Sequence, residues 1–142
     1  MCYNKEEAFS FDFRILGDVM TRGELENFIL DSYSVSADYP FEGDFETGVF
    51  RHSSNKKWFG IAMNIEYDRI VPNRDGRVDV VNVKCPPEVI SSIIGVEPGV
   101  YPAYHMNKGH WVSIALDGSC DDGLVCWLVG ISFELTRGKI KK

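Results

Sequence analysis

Apolar residues recur at helical spacing at Leu25, Phe28, Ile29 and Tyr33, directly after Thr21-Arg22-Gly23-Glu24. That tetrapeptide has the form of a capping box, in which a threonine hydroxyl and a glutamate carboxylate each take a free amide at a helix start. Met20 and Leu25 stand where a hydrophobic staple would close over it. The pattern predicts a helix to about Tyr33, with Glu24, Glu26 and Asp31 facing water. Upstream, Phe9, Phe11, Phe13 and Ile15 alternate like a strand, while Phe9, Phe13, Leu16 and Met20 also recur at helical spacing. Residues 1–20 are therefore read as an N-terminal extension packed on a domain of residues 21–138, with residues 139–142 as a basic tail.

Pro40, Gly43 and Gly48 punctuate an acidic loop, and beyond it the period shortens to two. Val49-Phe50-Arg51-His52 begins a strand, and Ser53-Ser54-Asn55-Lys56 reads as a hairpin turn into Lys57 and the run Trp58 to Ile65. Phe59, Ile61, Met63 and Ile65 share one face of that run. The opposite face, Trp58, Gly60, Ala62 and Asn64, is small and mixed, and is a candidate for exposure to solvent or to a partner. After a turn at Pro72 to Gly76, Arg77 to Lys84 forms a β-branched strand with Val78, Val80, Asn82 and Lys84 on one side and Asp79, Val81 and Val83 on the other.

Pro86 and Pro87 suit the first turn of a short helix with Val89, Ile90, Ile93 and Ile94 as its apolar side and Gly95 at its end. Glu97-Pro98-Gly99 reverses the chain into an extended segment, a turn at Asn107 to Gly109, and a strand with Val112, Ile114 and Leu116 inward. Ser119 is placed to cap a final helix, with Asp121 and Asp122 near its positive end and Leu124, Leu128, Ile131 and Leu135 on its buried side. Helix, three strands, helix, two extended segments and helix make an α+β order. The expected architecture is two layers, a mainly antiparallel sheet with helices on one face.

Composition limits the functional classes. A chain of 142 residues, 44% hydrophobic and 13% aromatic, fits one domain with a real core rather than disorder. No apolar run reaches the roughly 18 to 20 residues of a membrane helix, and the first residues have no basic flank or apolar region, so the expectation is a cytoplasmic protein with no membrane partner. Cys2, Cys85, Cys120 and Cys126 form no Cys-x-x-Cys pair and are expected as free thiols; Cys120, near a helix start, is placed where a thiol pKa can fall. Charge is uneven: −8 over residues 1–49, +2 over 50–114 and zero over 115–142, for a net −6. An acidic chain with pI near 5.0 lacks the bulk footprint of a tight nucleic-acid binder.

The densest candidate chemistry is Tyr104-His105-Met106-Asn107-Lys108-Gly109-His110-Trp111, where two imidazoles, an amide, an ammonium and an indole share one short stretch. Ammonium and imidazole donors meet phosphates and an indole stacks on a base; the bland alternative is a tight turn whose polar groups satisfy backbone. His105 and His110 fall short of the three or four ligands zinc needs. Arg51, His52, Lys56, Lys57 and Trp58 surround the first hairpin, where a solvated turn is the favoured reading. Neither a nucleophile elbow nor a Gly-rich phosphate loop is present, and no cysteine is paired with a nearby histidine, so the expectation is a non-enzymatic domain without a cofactor.

At Tyr104 to Lys108, His110-Trp111, Leu116-Asp117-Gly118-Ser119 and Ser132-Phe133-Glu134-Leu135 the chain resembles the MmcQ/YjbR family. Phe50-Arg51-His52, Asn55 to Phe59 and Asn82-Val83-Lys84 add to the likeness, which runs from about Thr21 to Thr136. Gly123, Cys126, Trp127 and Gly130 depart from it, standing where the family's final helix is usually more polar. The resemblance implies a fold like CyaY-type secretion chaperones and a double-wing DNA-binding role. With that reading the candidate contacts are Arg51, Lys57, Trp58, Lys84, His105, Asn107, Lys108, His110 and Trp111, binding nucleic acid weakly and with strong salt dependence. The alternative is a chaperone-like protein-binding or self-associating module that uses a sheet face and the acidic surface.

Overall fold

The computed structural model describes residues 20–138, so the expected extension before Met20, Cys2 and the basic tail lie outside the described residues. The first helix, α1 (Arg22–Tyr33), starts as its sequence predicts. Thr21 Oγ1 accepts from the Glu24 amide at 3.2 Å and Glu24 Oε1 accepts from the Thr21 amide at 2.9 Å. Met20, Leu25 and Ile29 are buried beneath, and Ser34 closes the helix in the left-handed region with its amide on the Leu30 carbonyl.

Five strands follow: β1 (Gly48–Arg51), β2 (Trp58–Glu66), β3 (Arg77–Lys84), β4 (Val100–Pro102) and β5 (Trp111–Ala115). Every pairing is antiparallel, in the spatial order β1-β2-β3-β5-β4. The second helix, α2 (Pro87–Ile93), crosses between β3 and β4, and α3 (Asp122–Thr136) ends the domain. Side chains of α1, α2 and α3 share one hydrophobic cluster with Phe50, Phe59, Ala62, Val81, Val83, Val112 and Ile114, so all three helices lie on one face of the sheet. Among the described residues this is the expected two-layer α+β architecture.

Three local expectations are corrected. Trp58, Gly60, Ala62 and Asn64 were a candidate face for exposure to solvent or a partner, but Gly60 and Ala62 are buried on the helix side. A Cβ on Gly60 would stand 3.3 Å from the Phe50 ring, so the small residues there make room for packing. A break in register also moves Phe59: Phe50 pairs with Gly60 but Arg51 pairs with Trp58, which leaves Phe59 unmatched and swings its ring, expected beside Ile61, into the helix layer with Gly60 and Ala62. At α3 the cap is Asp121, whose carboxylate accepts from the Leu124 amide at 3.2 Å, while the Ser119 hydroxyl turns to Asp117. Its buried stripe is Leu124, Val125, Leu128, Val129, Ser132 and Thr136, and Leu135 is exposed.

The Ser132 hydroxyl closes the gap the bulge opens. It accepts from the Lys84 amide at 2.8 Å and donates to the Phe59 carbonyl at 2.6 Å, taking two backbone groups left without a ladder partner. A second, smaller cluster covers part of the opposite sheet face, where Ile65, Val78, Val80 and Ala115 pack with Tyr67, Ile70, Val71, Tyr101 and Tyr104.

Candidate nucleic-acid interface

Strand register decides where the candidate side chains stand. The β1–β2 turn, the end of β3 and the loop from β4 to β5 all open at the same end of the sheet, because Arg51 pairs with Trp58 and Lys84 pairs with Trp111. All nine residues singled out from the sequence therefore gather at one end. Alternation refines the placement. Val49 pairs with Ile61, Ile61 with Asn82 and Asn82 with Ser113, a row on the face away from the helices. Trp58, Lys84 and Trp111 continue that face one step further out, and each is half-buried.

The loop that carries His105, Asn107, Lys108 and His110 is rooted in the sheet by a buried network. Asn82 Nδ2 donates to the Tyr104 carbonyl at 2.9 Å, Asn82 Oδ1 accepts from Ser113 Oγ at 2.5 Å, and Ser113 Oγ accepts from the Tyr104 amide at 2.9 Å. Asn82 and Ser113 are fully buried. His105 follows in the left-handed region, φ 61°, with its ring 3.9 Å from that of Tyr104. Beyond it, Asn107 builds the turn: its carbonyl accepts from the His110 and Trp111 amides and its side chain accepts from the Gly109 amide at 2.8 Å. Asn107 is thus the structural residue of the turn, whereas His105, Lys108 and His110 are exposed at its rim.

Not every candidate is available. The Arg51 guanidinium is paired with the Asp38 carboxylate, brought alongside by a bridge between Asp38 and Val49. Phe41, from the same acidic loop, meets the Trp58 ring edge-on at 5.9 Å. His52 leaves the group altogether. It is buried between Phe59 and Phe133, with Nε2 2.8 Å from Thr136 Oγ1. Burial holds its pKa below the ordinary histidine value, with the nearby Arg137 charge adding to the fall and the Phe133 carbonyl and Glu134 opposing it. Lys56 and Lys57 stay exposed on the turn, which Asn55 docks to the end of α3 through the Thr136 carbonyl at 2.9 Å.

The lowered thiol expected at Cys120 is also corrected. Burial pushes it up to about 12, and the carboxylates of Asp121, Glu97 and Asp117 push the same way. Among the described residues no three His, Cys, Asp or Glu side chains come together as a metal would require, and no helix is long and apolar enough to cross a membrane. Sequence reasoning passed over Asn82 as a core group. Its signal was an amide within a β-branched strand, aligned with Ser113 on the next strand.

A YjbR family model matches residues 30–135. The uncharacterized protein YyaQ of Bacillus subtilis is 36% identical over 119 residues, covering 84% of this chain and all of that one. The uncharacterized protein YjbR of Escherichia coli is 35% identical over 54 residues, 38% of this chain and 46% of its own length. A crystal structure of a Pseudomonas syringae protein, 40% identical, superposes with a TM-score of 0.79 over 83% of this chain and all of that chain. The DUF419 domain protein DR2400 of Deinococcus radiodurans, at 24% identity, shares the fold with a TM-score of 0.64 over 87% of this chain and 84% of its own.

Proposed function

The chain belongs to the YjbR family, and from the geometry of its open sheet end we propose that it is a non-enzymatic binding domain that takes nucleic acid there. The observation that carries this reading is the register, which sets Trp58, Lys84 and Trp111 in one row beside the exposed Lys57, Lys108, His105 and His110. Lysines neutralise phosphates and indoles offer a flat surface to bases. With Arg51 held by Asp38 and the chain carrying a net charge of −6, few phosphates are contacted and binding is weak. Fluorescence anisotropy with labelled DNA across a salt series tests this. Lys108→Ala and Lys84→Ala should each weaken binding without altering sequence preference, and each should flatten the dependence of log K on log salt by about 0.7 to 0.9 per lost phosphate. Folded protein that binds no oligonucleotide at low salt refutes the reading.

A second reading, a protein-binding or self-associating module, draws support from the acidic loop. Phe45 there is 85% exposed, with Tyr39 and Phe41 also exposed among Glu42, Asp44 and Glu46. Light scattering over a concentration series, with Phe45→Ser as the comparison, decides whether that loop drives self-association.

A further inference from the structure

We propose that the ligand of the open sheet end is a single strand, and that stacking on Trp58 and Trp111, more than charge, holds it; this rests on the nucleic-acid reading. The two indoles stand on β2 and β5, with β3 between them. Two interstrand spacings separate them by about 10 Å. Paired bases in a duplex rise about 3.4 Å per step and keep their faces against one another. Away from its ends a duplex therefore has no free base face for an indole, and it cannot serve both without breaking its stack. An unpaired strand can lay bases on both rings while its backbone passes Lys84, which lies between them and pairs directly with Trp111.

Charge sets the path of the strand more than its affinity. The Asp38–Arg51 pair and the Phe41 ring close the β1 side of Trp58, so the strand runs from Trp58 across Lys84 toward Trp111 and the exposed Lys108. Three lysines, Lys57, Lys84 and Lys108, on a chain of net charge −6 contact few phosphates of either form, so charge alone supplies little affinity. Sequence-tolerant stacking supplies the missing affinity, since every base presents a π-face.

The test compares fluorescein-labelled oligothymidylate with the oligothymidylate–oligoadenylate duplex at low salt, using the intact protein. The single strand should bind at least about ten-fold tighter and should quench tryptophan fluorescence, leaving the contribution of Trp127 on α3 unchanged. Trp58→Leu and Trp111→Leu, each checked for folding by circular dichroism, should weaken single-strand binding by about five- to 150-fold, the equivalent of 1–3 kcal/mol per stacked base. Trp58→Phe and Trp111→Phe keep an aromatic face and should recover most of it, and they stand in where a leucine variant does not fold. Equal or tighter binding of the duplex, or unaltered affinity in folded leucine variants, overturns the single-strand assignment while nucleic-acid binding stands. Absence of binding to both probes removes the parent reading and this one together.

Discussion

Replacing Ser132 by alanine removes one oxygen from α3 and leaves two backbone groups of the sheet without partners. Phe59 is fully buried, so its carbonyl cannot turn to water, and the Lys84 amide loses its acceptor at 2.8 Å. An unsatisfied buried backbone group costs about 1–3 kcal/mol, giving about 2–6 for the pair. Alanine's better helix propensity returns roughly 0.5 kcal/mol. The expected loss of about 2–5 kcal/mol is a large part of the 5–15 kcal/mol typical of a domain. Urea denaturation followed by circular dichroism measures it, with Ser91→Ala as the control. The Ser91 hydroxyl also bonds a helix carbonyl, that of Glu88 at 3.1 Å, but at an exposed position, and its removal should change stability by less than about 0.5 kcal/mol. A loss at Ser132 no larger than at Ser91 would refute the view that the hydroxyl splints the gap in the sheet.

Three further outcomes follow from the same structure. Because burial lowers the His52 pKa in the folded state, the unfolded chain takes up the proton first as pH falls; stability from the neutral ring is full above about 6.5 and is lost between there and the lower folded value. Thermal melts of wild type and His52→Gln from pH 8 to 5 should diverge in that window, with the variant flatter. Cys85 and Cys120, both pushed up to about 12, should resist iodoacetamide in native protein at pH 8 and react after denaturation, and a reductant should leave the melting temperature unchanged. Thr21→Ala should destabilise by about 1 kcal/mol in chemical denaturation through loss of the α1 cap; an unchanged midpoint would mean the cap contributes nothing to stability.

Features decided by neighbours in sequence were mostly legible before the structure, the α3 cap at Asp121 and not Ser119 being the exception. The capping box at Thr21 and Glu24, the hairpin turn at Asn55 and the β-branched β3 each follow from contacts within a few residues. Those decided across the fold were not. The unmatched Phe59 left the face expected for it beside Ile61, since one extra residue in a strand reverses a period of two for the residues beyond it. Cys120 looked activated beside a helix start, but its burial comes from packing that no local pattern encodes. Arg51 looked like a free cation until Asp38, 13 residues away, was brought to it. His52, counted with the hairpin's charges, belongs to the core because Phe133 and Thr136 of α3 enclose it.

Tyr104 is clamped through its own amide and its own carbonyl, both by buried side chains of the sheet. The root of its loop consequently owes nothing to the side chains of Lys108 and His110 at the rim. Lys108 and His110 form an exchangeable head on a fixed shank, to which His105 belongs through its left-handed backbone and its ring against Tyr104. Substitutions at Lys108 and His110 leave that root intact, whereas Asn82 and Ser113 admit only replacements that keep the same donors and acceptors. The rim and the root of one loop are thereby set by separate residues, and sequence can vary in the first without disturbing the second.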